Sequence, residues 1–169
     1  MSDKERKKIM GEVNYEEIKL MTEKQEKTLR FEHFSNKDAL ELGTFITNKI
    51  YAENMTLAVA IRRMNGTIIY QHLTDGTNHI NQNWMERKFN TVSYFERSSL
   101  GAWALEALSG ETVDVHGLSK GDFVFVGGGF PIRLKTGEMV AVLTVSNLPH
   151  MDDHRFIVRV LSEYLGKEI

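Results

Sequence analysis

Residues 127–146 decide the fold, and they read Gly-Gly-Gly-Phe-Pro-Ile-Arg-Leu-Lys-Thr-Gly-Glu-Met-Val-Ala-Val-Leu-Thr-Val-Ser. Three glycines followed by phenylalanine and proline are not typical of a strand interior, because glycine weakens a strand and proline lacks the N–H that a ladder needs. We therefore predict that the chain bends here, or that another group closely approaches its backbone. The apolar run 140–145 predicts a strand that folds back on residues 130–134 across a turn at 135–138.

Hairpin and helix patterns on the N-terminal side of this stretch predict the rest of the fold. Asn65-Gly66 is a two-residue hairpin turn between strands at 56–63 and 67–73. The first of these strands is apolar on both faces, which predicts a central position in the sheet. Cap residues and helical spacing of apolar residues predict helices at 14–30, 38–54, 78–95, 100–108 and 152–165, and a further short strand is predicted at 123–126. Together they predict an α+β domain with an antiparallel sheet flanked by helices.

The first 30 residues form a separate unit in this interpretation. They are highly charged, and the predicted helix within them offers little apolar surface beyond Ile18 and Met21. We therefore predict an N-terminal helical extension over 1–30, which lies on the domain surface or contacts a neighbouring subunit, and one main domain over 31–169.

Composition excludes several functional classes. The 169 residues contain 21 basic and 23 acidic side chains and no cysteine. This balance provides no basic surface for nucleic acid, and the lack of cysteine excludes disulfides, a thiolate nucleophile and cysteine metal ligands. No apolar run approaches the roughly 20 residues that span a bilayer, and residues 1–10 lack the apolar core of a signal peptide. We expect a cytoplasmic protein with neither a nucleic acid nor a membrane as partner.

The triple glycine admits three interpretations. Bare backbone amides can bind phosphate, but Phe130-Pro131 follows where a phosphate loop needs a lysine and a helix start. A bulge or bend in a strand is the structural interpretation. The third is a bare backbone surface beside a flat or bulky ligand.

The predicted helix at 78–95 carries the clearest candidate ligand contacts. Asn81, Trp84, Arg87 and Lys88 fall near one helical face and combine an aromatic ring with two cations and an amide. That set suits an anionic ligand with an apolar body. The structural alternative is a core tryptophan covered by the aliphatic parts of the arginine and lysine side chains.

The histidines and serines indicate no reaction. His150 and His154 have the spacing of a metal-binding helix face, but the glutamate that follows the first histidine in zinc proteases is absent, and solvated side chains are the alternative. His72, His79 and His116 stand alone, and a lone histidine is more often structural than an axial haem ligand or proton shuttle. The serines show no nucleophile elbow. We assign no metal site and no catalytic residue.

Several blocks together resemble the haem-degrading domain family, the GlcG/HbpS-like proteins. The first is Gly128-Gly129-Phe130-Pro131-Ile132, a Gly-Gly-x-Pro turn. It is followed by Gly137-Glu138-Met139-Val140-Ala141-Val142, then Val145-Ser146, and then the acidic start of the last helix at Asp152 and Asp153. Residues 81–99 resemble a branch of largely uncharacterised members. The resemblance covers about residues 31–165.

The resemblance implies a profilin-like layered fold, assembly into homo-oligomers, and in some members the binding or degradation of haem. It makes haem or another tetrapyrrole the candidate ligand of an oligomeric small-molecule-binding protein and leaves open whether the protein is an enzyme. Asn147 stands where the family has glycine after Val-Ser, and asparagine tolerates the left-handed backbone of such a turn. The alternative is a structural or protein-interaction module without ligand or activity. The predicted ligand-binding residues are Gly128, Gly129, Pro131, Asn81, Trp84, Arg87 and Lys88.

Overall fold

A computed structural model of the chain describes residues 13–169, so the first 12 residues of the predicted extension lie outside the described part. The elements follow in the order α1 (Tyr15–Thr28), β1 (Arg30–Phe31), α2 (Asn36–Ala52), β2 (Ala58–Arg63), β3 (Ile68–Leu73), α3 (His79–Phe95), α4 (Ser99–Ser109), a 3-10 helix (Val113–His116), β4 (Gly129–Leu134), β5 (Met139–Ser146) and α5 (His150–Leu165). The predicted α+β class is confirmed.

The five strands form one sheet in the order β1-β4-β5-β2-β3. The neighbouring pairs β4–β5, β5–β2 and β2–β3 are antiparallel, as predicted, whereas β1 pairs in parallel with β4. The sheet is therefore mixed, although only the two-residue β1 departs from the antiparallel pattern. Strand β2 is central, as its apolar residues on both faces predict.

Helices cover both faces of the sheet. On one face, Val59 and Ile61 of β2 belong to a large core with residues of α2 and α5, such as Ile46 and Ile157. On the other face, Ala58 and Ala60 pack against Met85 of α3. Alternate residues of one strand thus reach two different helix layers, which fixes α3 opposite α5 across the sheet.

Local caps begin and end the helices as the sequence predicts. Ser35 and Asp38 form a capping box at the start of α2, and Asn78 caps α3. Gly110 and Gly166 take left-handed conformations at the ends of α4 and α5. Helix α1 begins after Asn14, whose side chain accepts a hydrogen bond from the backbone N–H of Glu17, and ends at Thr28, slightly earlier than predicted.

Two expectations near the glycines need correction. Residues 123–126 are not a strand, because the side chain of Thr91 on α3 bonds both the N–H and the carbonyl of Val124 at 3.0 and 2.7 Å, in place of a neighbouring strand. Pro131 lies inside β4 rather than in a bend. Strand β1 pairs only with Arg133 and Leu134, so its ladder stops short of Pro131, where a donor is missing.

None of the helices described between residues 13 and 169 has the length and apolar character to cross a membrane.

Candidate functional site

The groups that approach the triple glycine belong to the protein itself. Gly128 has φ +110°, and a Cβ there would lie 2.6 Å from Lys88 Nζ and 2.9 Å from the carbonyl oxygen of Val145. A Cβ on Gly127 would lie 2.2 Å from the carbonyl oxygen of His150. The glycines are therefore required because α3, β5 and α5 converge on this backbone.

A buried ion pair lies directly beside Gly128. Lys88 Nζ donates to Asp153 Oδ2 at 2.8 Å and to the carbonyl oxygen of Val145 at 2.9 Å, and both charged side chains are 3% exposed. Asp153 also accepts from the N–H of Leu148 at 3.1 Å. Burial lowers the pKa of Lys88 and raises the pKa of Asp153, and the attraction between the two charges opposes both shifts. The pair ties α3 to α5 through the sheet.

Asn81, about two helical turns before Lys88 on α3, is also buried and hydrogen-bonded within the protein. Its Nδ2 donates to Asn147 Oδ1 at 3.2 Å. Asn147 has φ +141° and donates through its own side chain to the carbonyl oxygen of Thr56 at 2.9 Å. The asparagine after Val-Ser therefore maintains the turn between β5 and α5, as the sequence predicts.

Trp84 and Arg87 lie on a different part of α3, at the surface. The Arg87 guanidinium is 4.7 Å from the Trp84 ring centroid and donates to the carbonyl oxygen of Lys120 at 2.8 Å. Gly129, by contrast, packs against Val92, and its backbone N–H donates a hydrogen bond to Ser99 Oγ at 2.9 Å. The predicted ligand-binding residues thus divide into a buried group and a surface pair, and their contact with a ligand stays a prediction.

A groove between α1 and α5 combines apolar and charged side chains. Its volume is about 580 Å³. Charged side chains, Arg155 and Arg159 of α5 among them, also line it. The apolar residues that line it are Ile18, Met21, Leu100, Met151, Val158 and Ile169. Ile18 and Met21 are the two residues that the sequence singles out as the thin apolar face of the first helix.

His154 lies among the residues that line this groove and is 1% exposed. Its Nε2 lies 2.8 Å from Gln25 Oε1, so Nε2 carries the proton and Nδ1 keeps a lone pair. Nδ1 is buried and has no hydrogen-bond partner among the described residues. Burial lowers the pKa of His154 to about 3, with a smaller contribution from the charge of Arg155. The wall of the groove therefore contains a neutral imidazole whose acceptor nitrogen is buried and unused.

His150, one helical turn before His154, has a different environment. Its Nδ1 accepts from the N–H of Gly127 at 3.3 Å, and its ring makes an edge contact with Trp103, with centroids 4.8 Å apart. The two histidines of the predicted pair thus have separate partners. The sequence indicated His154 only through its spacing, because its burial depends on Gln25 of a helix 129 residues away.

We expect His154 to make the protein less stable as the pH falls below about 6.5. Above that pH the imidazole is neutral in both the folded and unfolded states, whereas below it only the unfolded chain binds the proton until about pH 3. The free energy of unfolding should then fall by up to about 1.4 kcal/mol per pH unit. Urea titrations between about pH 7 and 5.5 should show this slope, and His154→Gln should flatten it. An unchanged slope in the variant would contradict the assignment.

Comparisons with known proteins find a family model, a relative and solved structures that this chain matches. A family model described as "Haem degrading protein HbpS-like" matches residues 34–162. A UPF0303 protein of Yersinia enterocolitica is 32% identical over 139 residues, which is 82% of each chain. The crystal structure of the Ybr137w protein matches with a TM-score of 0.80 and 26% identity, over 98% of this chain and 96% of that one. The structure of a PduOC:haem complex matches with a TM-score of 0.63 over 76% of this chain and 93% of that one, at 15% identity, which shows a shared fold.

Proposed function

The chain belongs to the HbpS-like family of haem-degrading proteins, and on that basis we propose that it binds haem or a closely related tetrapyrrole in the groove between α1 and α5. The observation that carries the proposal is the neutral imidazole of His154, which lies in the wall of this groove and has a buried nitrogen without a hydrogen-bond partner among the described residues. A solved relative of the same fold is a haem complex, which supports the choice of ligand.

The size and lining of the groove suit a small molecule with an apolar body. Its volume of about 580 Å³ lies within the usual range of small-molecule sites. Met21 and Met151 provide flexible thioether side chains, which adapt to the surface of a ring. Most residues that line the groove belong to α1 and α5, and Leu100 of α4 and Ile169 complete it.

The charges at the groove suit the carboxylates of a tetrapyrrole. Arg155 pairs with Asp152 on the same helix at 2.8 Å, an exposed contact that contributes little. Its guanidinium is therefore free to turn towards a propionate, for which arginine offers paired donors. Arg159 is less available, because both of its terminal nitrogens lie 2.7 Å from the carboxylate of Glu53.

His154 fits the role of iron ligand because only a neutral imidazole has a lone pair to donate, and its lowered pKa keeps it neutral at any physiological pH. Haem would supply the redox-active iron. The chain's own residues would bind the ring, hold its carboxylates and exclude water. Whether degradation follows is a separate step, which the experiment below distinguishes from binding.

Assembly into homo-oligomers is part of this proposal. Leu20, Met21 and Ile169 are exposed apolar residues that line a cavity next to the groove, and Met21 and Ile169 also line the groove itself. Apolar residues grouped beside a ligand groove favour a second copy covering it. In that arrangement the groove would be more completely enclosed than in a single chain.

Titration of the purified protein with haemin tests the proposal. We expect a saturable Soret shift, and about tenfold or weaker binding after Met21→Glu, because the new carboxylate loses hydration when the apolar ring binds. Leu40→Glu, at an exposed apolar position on α2, is the matched control and should bind as the parent does. His154→Gln should change the position of the Soret band.

The same titration distinguishes the groove from the residues predicted on α3. If haemin binding is lost in Trp84→Ala/Arg87→Ala but kept in Met21→Glu, the site lies on α3. If the parent shows no shift beyond that of an unrelated protein, haem binding is refuted and the interaction-module alternative is favoured. Loss of the Soret band after addition of peroxide, compared with free haemin, would indicate degradation.

A further inference from the structure

A smaller cavity lies between the end of α3, the helix α4 and the 3-10 helix, lined by residues other than those of the groove. Its volume is about 230 Å³. The rings of Phe95 and Phe125 form its apolar part and contact each other edge to face, with centroids 5.1 Å apart. His116 packs edge-on against Phe95 at 5.0 Å. The cavity therefore has an aromatic interior of a size that admits only a small molecule.

The charge at the rim of this cavity is mainly negative. Glu106 and Glu111 both line it, together with Ser109 in the last turn of α4, where unsatisfied carbonyls add negative potential. Glu111 faces His116, whose Nε2 is 3.5 Å from its carboxylate. Glu106 takes part in none of the ion pairs found among residues 13–169, and burial raises its pKa.

The nearby cations do not neutralise Glu106. Lys120 is the charge that opposes its pKa shift, but Lys120 Nζ is held 3.0 Å from Asp114. Arg97 also lines the cavity, but its charge acts on the carboxylate of Glu26 and is not among the charges that shift the pKa of Glu106. The carboxylate of Glu106 is therefore free to bind a cation at the aromatic cavity.

We propose that this cavity binds a small organic ammonium ion with an aromatic or branched apolar body. The ammonium group donates to Glu106 near the negative end of α4, and the apolar body lies against Phe95 and Phe125. A cation gains from both parts of the site, because a carboxylate and aromatic faces each attract positive charge. The proposal is independent of haem binding in the groove.

Calorimetric titration with 2-phenylethylammonium tests this proposal. We expect saturable binding to the parent protein and at least about tenfold weaker binding to Glu106→Gln, which keeps the shape of the side chain and removes the charge. Glu86→Gln, at an exposed position on α3, is the matched control and should bind as the parent does. Met21→Glu should also leave amine binding unchanged, which separates this test from that of haem.

Two analogues of the same shape define the ligand class. Neutral 2-phenylethanol and anionic 3-phenylpropanoate should each bind more weakly than the ammonium ion. The proposal is overturned if the parent gives no saturable heat with the ammonium ion, if Glu106→Gln binds it equally well, or if either analogue binds as tightly.

Discussion

Lys88→Met should lower the free energy of unfolding by about 3–5 kcal/mol at neutral pH, because it leaves the Asp153 carboxylate buried without its cation. Lys88 Nζ donates to Asp153 at 2.8 Å and to the carbonyl oxygen of Val145, so the substitution leaves two acceptors short of a donor. Methionine fills much of the volume of the lysine side chain, so the loss reflects charge and hydrogen bonding rather than a cavity. Urea denaturation followed by circular dichroism measures the change.

The pH dependence of the variant tests this cause directly. Burial already raises the pKa of Asp153, and removal of Lys88 removes the main effect that opposes the shift. A carboxyl group with a raised pKa in the folded state favours folding at low pH, and this contribution is lost as the pH rises through that pKa. Lys88→Met should therefore lose less stability at about pH 5 than at about pH 8.

Two further variants control the interpretation. Lys88→Met/Asp153→Asn removes both charges and should recover part of the lost stability, since no unpaired charge then stays buried. Lys37→Met removes the lysine of an exposed pair, 4.0 Å from Glu41, and should change stability little. If Lys88→Met unfolds no more easily than Lys37→Met, the buried pair does not stabilise the fold.

The double variant also separates two roles for Lys88. The sequence predicts it as a ligand contact beside Trp84 and Arg87, whereas the structure shows it tying α3 to α5. If Lys88→Met/Asp153→Asn folds and binds haemin as the parent does, the lysine holds the fold together and does not contact the ligand. Loss of haemin binding in a folded double variant would favour the ligand contact.

Local patterns predict most of the fold, because caps, turns and apolar spacing act over a few residues. Ser35 with Asp38 and Gly166 have the predicted conformations. Asn65-Gly66 lies in a turn as predicted, but the loop has three residues, 64–66, and only Gly66 has a positive φ. The buried state of Lys88 could not be predicted in the same way. Helical spacing places it near Trp84, four residues earlier, but its partner Asp153 lies 65 residues along the chain, and nothing local indicates that the two meet.

The groove, like the buried ion pair, could not be predicted from local sequence patterns. The sequence identifies Ile18 and Met21 as a weak apolar face and His154 as one half of a spaced pair. That these residues share one cavity depends on α1 packing beside α5, which places Gln25 against His154. Such contacts between distant helices follow from the tertiary fold and leave no periodic signal in either helix.

Gly128→Ala should destabilise the protein by about 2–5 kcal/mol, the sum of a left-handed backbone conformation and an overfilled core. At φ +110° a side chain is strained, and its Cβ would overlap Lys88 Nζ at 2.6 Å and Val145 O at 2.9 Å. The carbonyl oxygen is backbone and cannot turn away, and the lysine is fixed by Asp153. Urea denaturation followed by circular dichroism measures this loss of stability.

Gly66→Ala is the matched control, because Gly66 has φ +90° and nothing within 4 Å of an added Cβ. Gly66→Ala should show the effect of backbone strain alone, so its free energy of unfolding should fall less than that of Gly128→Ala. Gly127→Ala has no left-handed φ but would place its Cβ 2.2 Å from the carbonyl oxygen of His150, so it should show the overlap alone. Equal losses of stability in Gly128→Ala and Gly66→Ala would mean that the backbone at Gly128 has room beside it. The glycine would then be better explained as a bare surface beside a ligand, one of the three interpretations of the sequence.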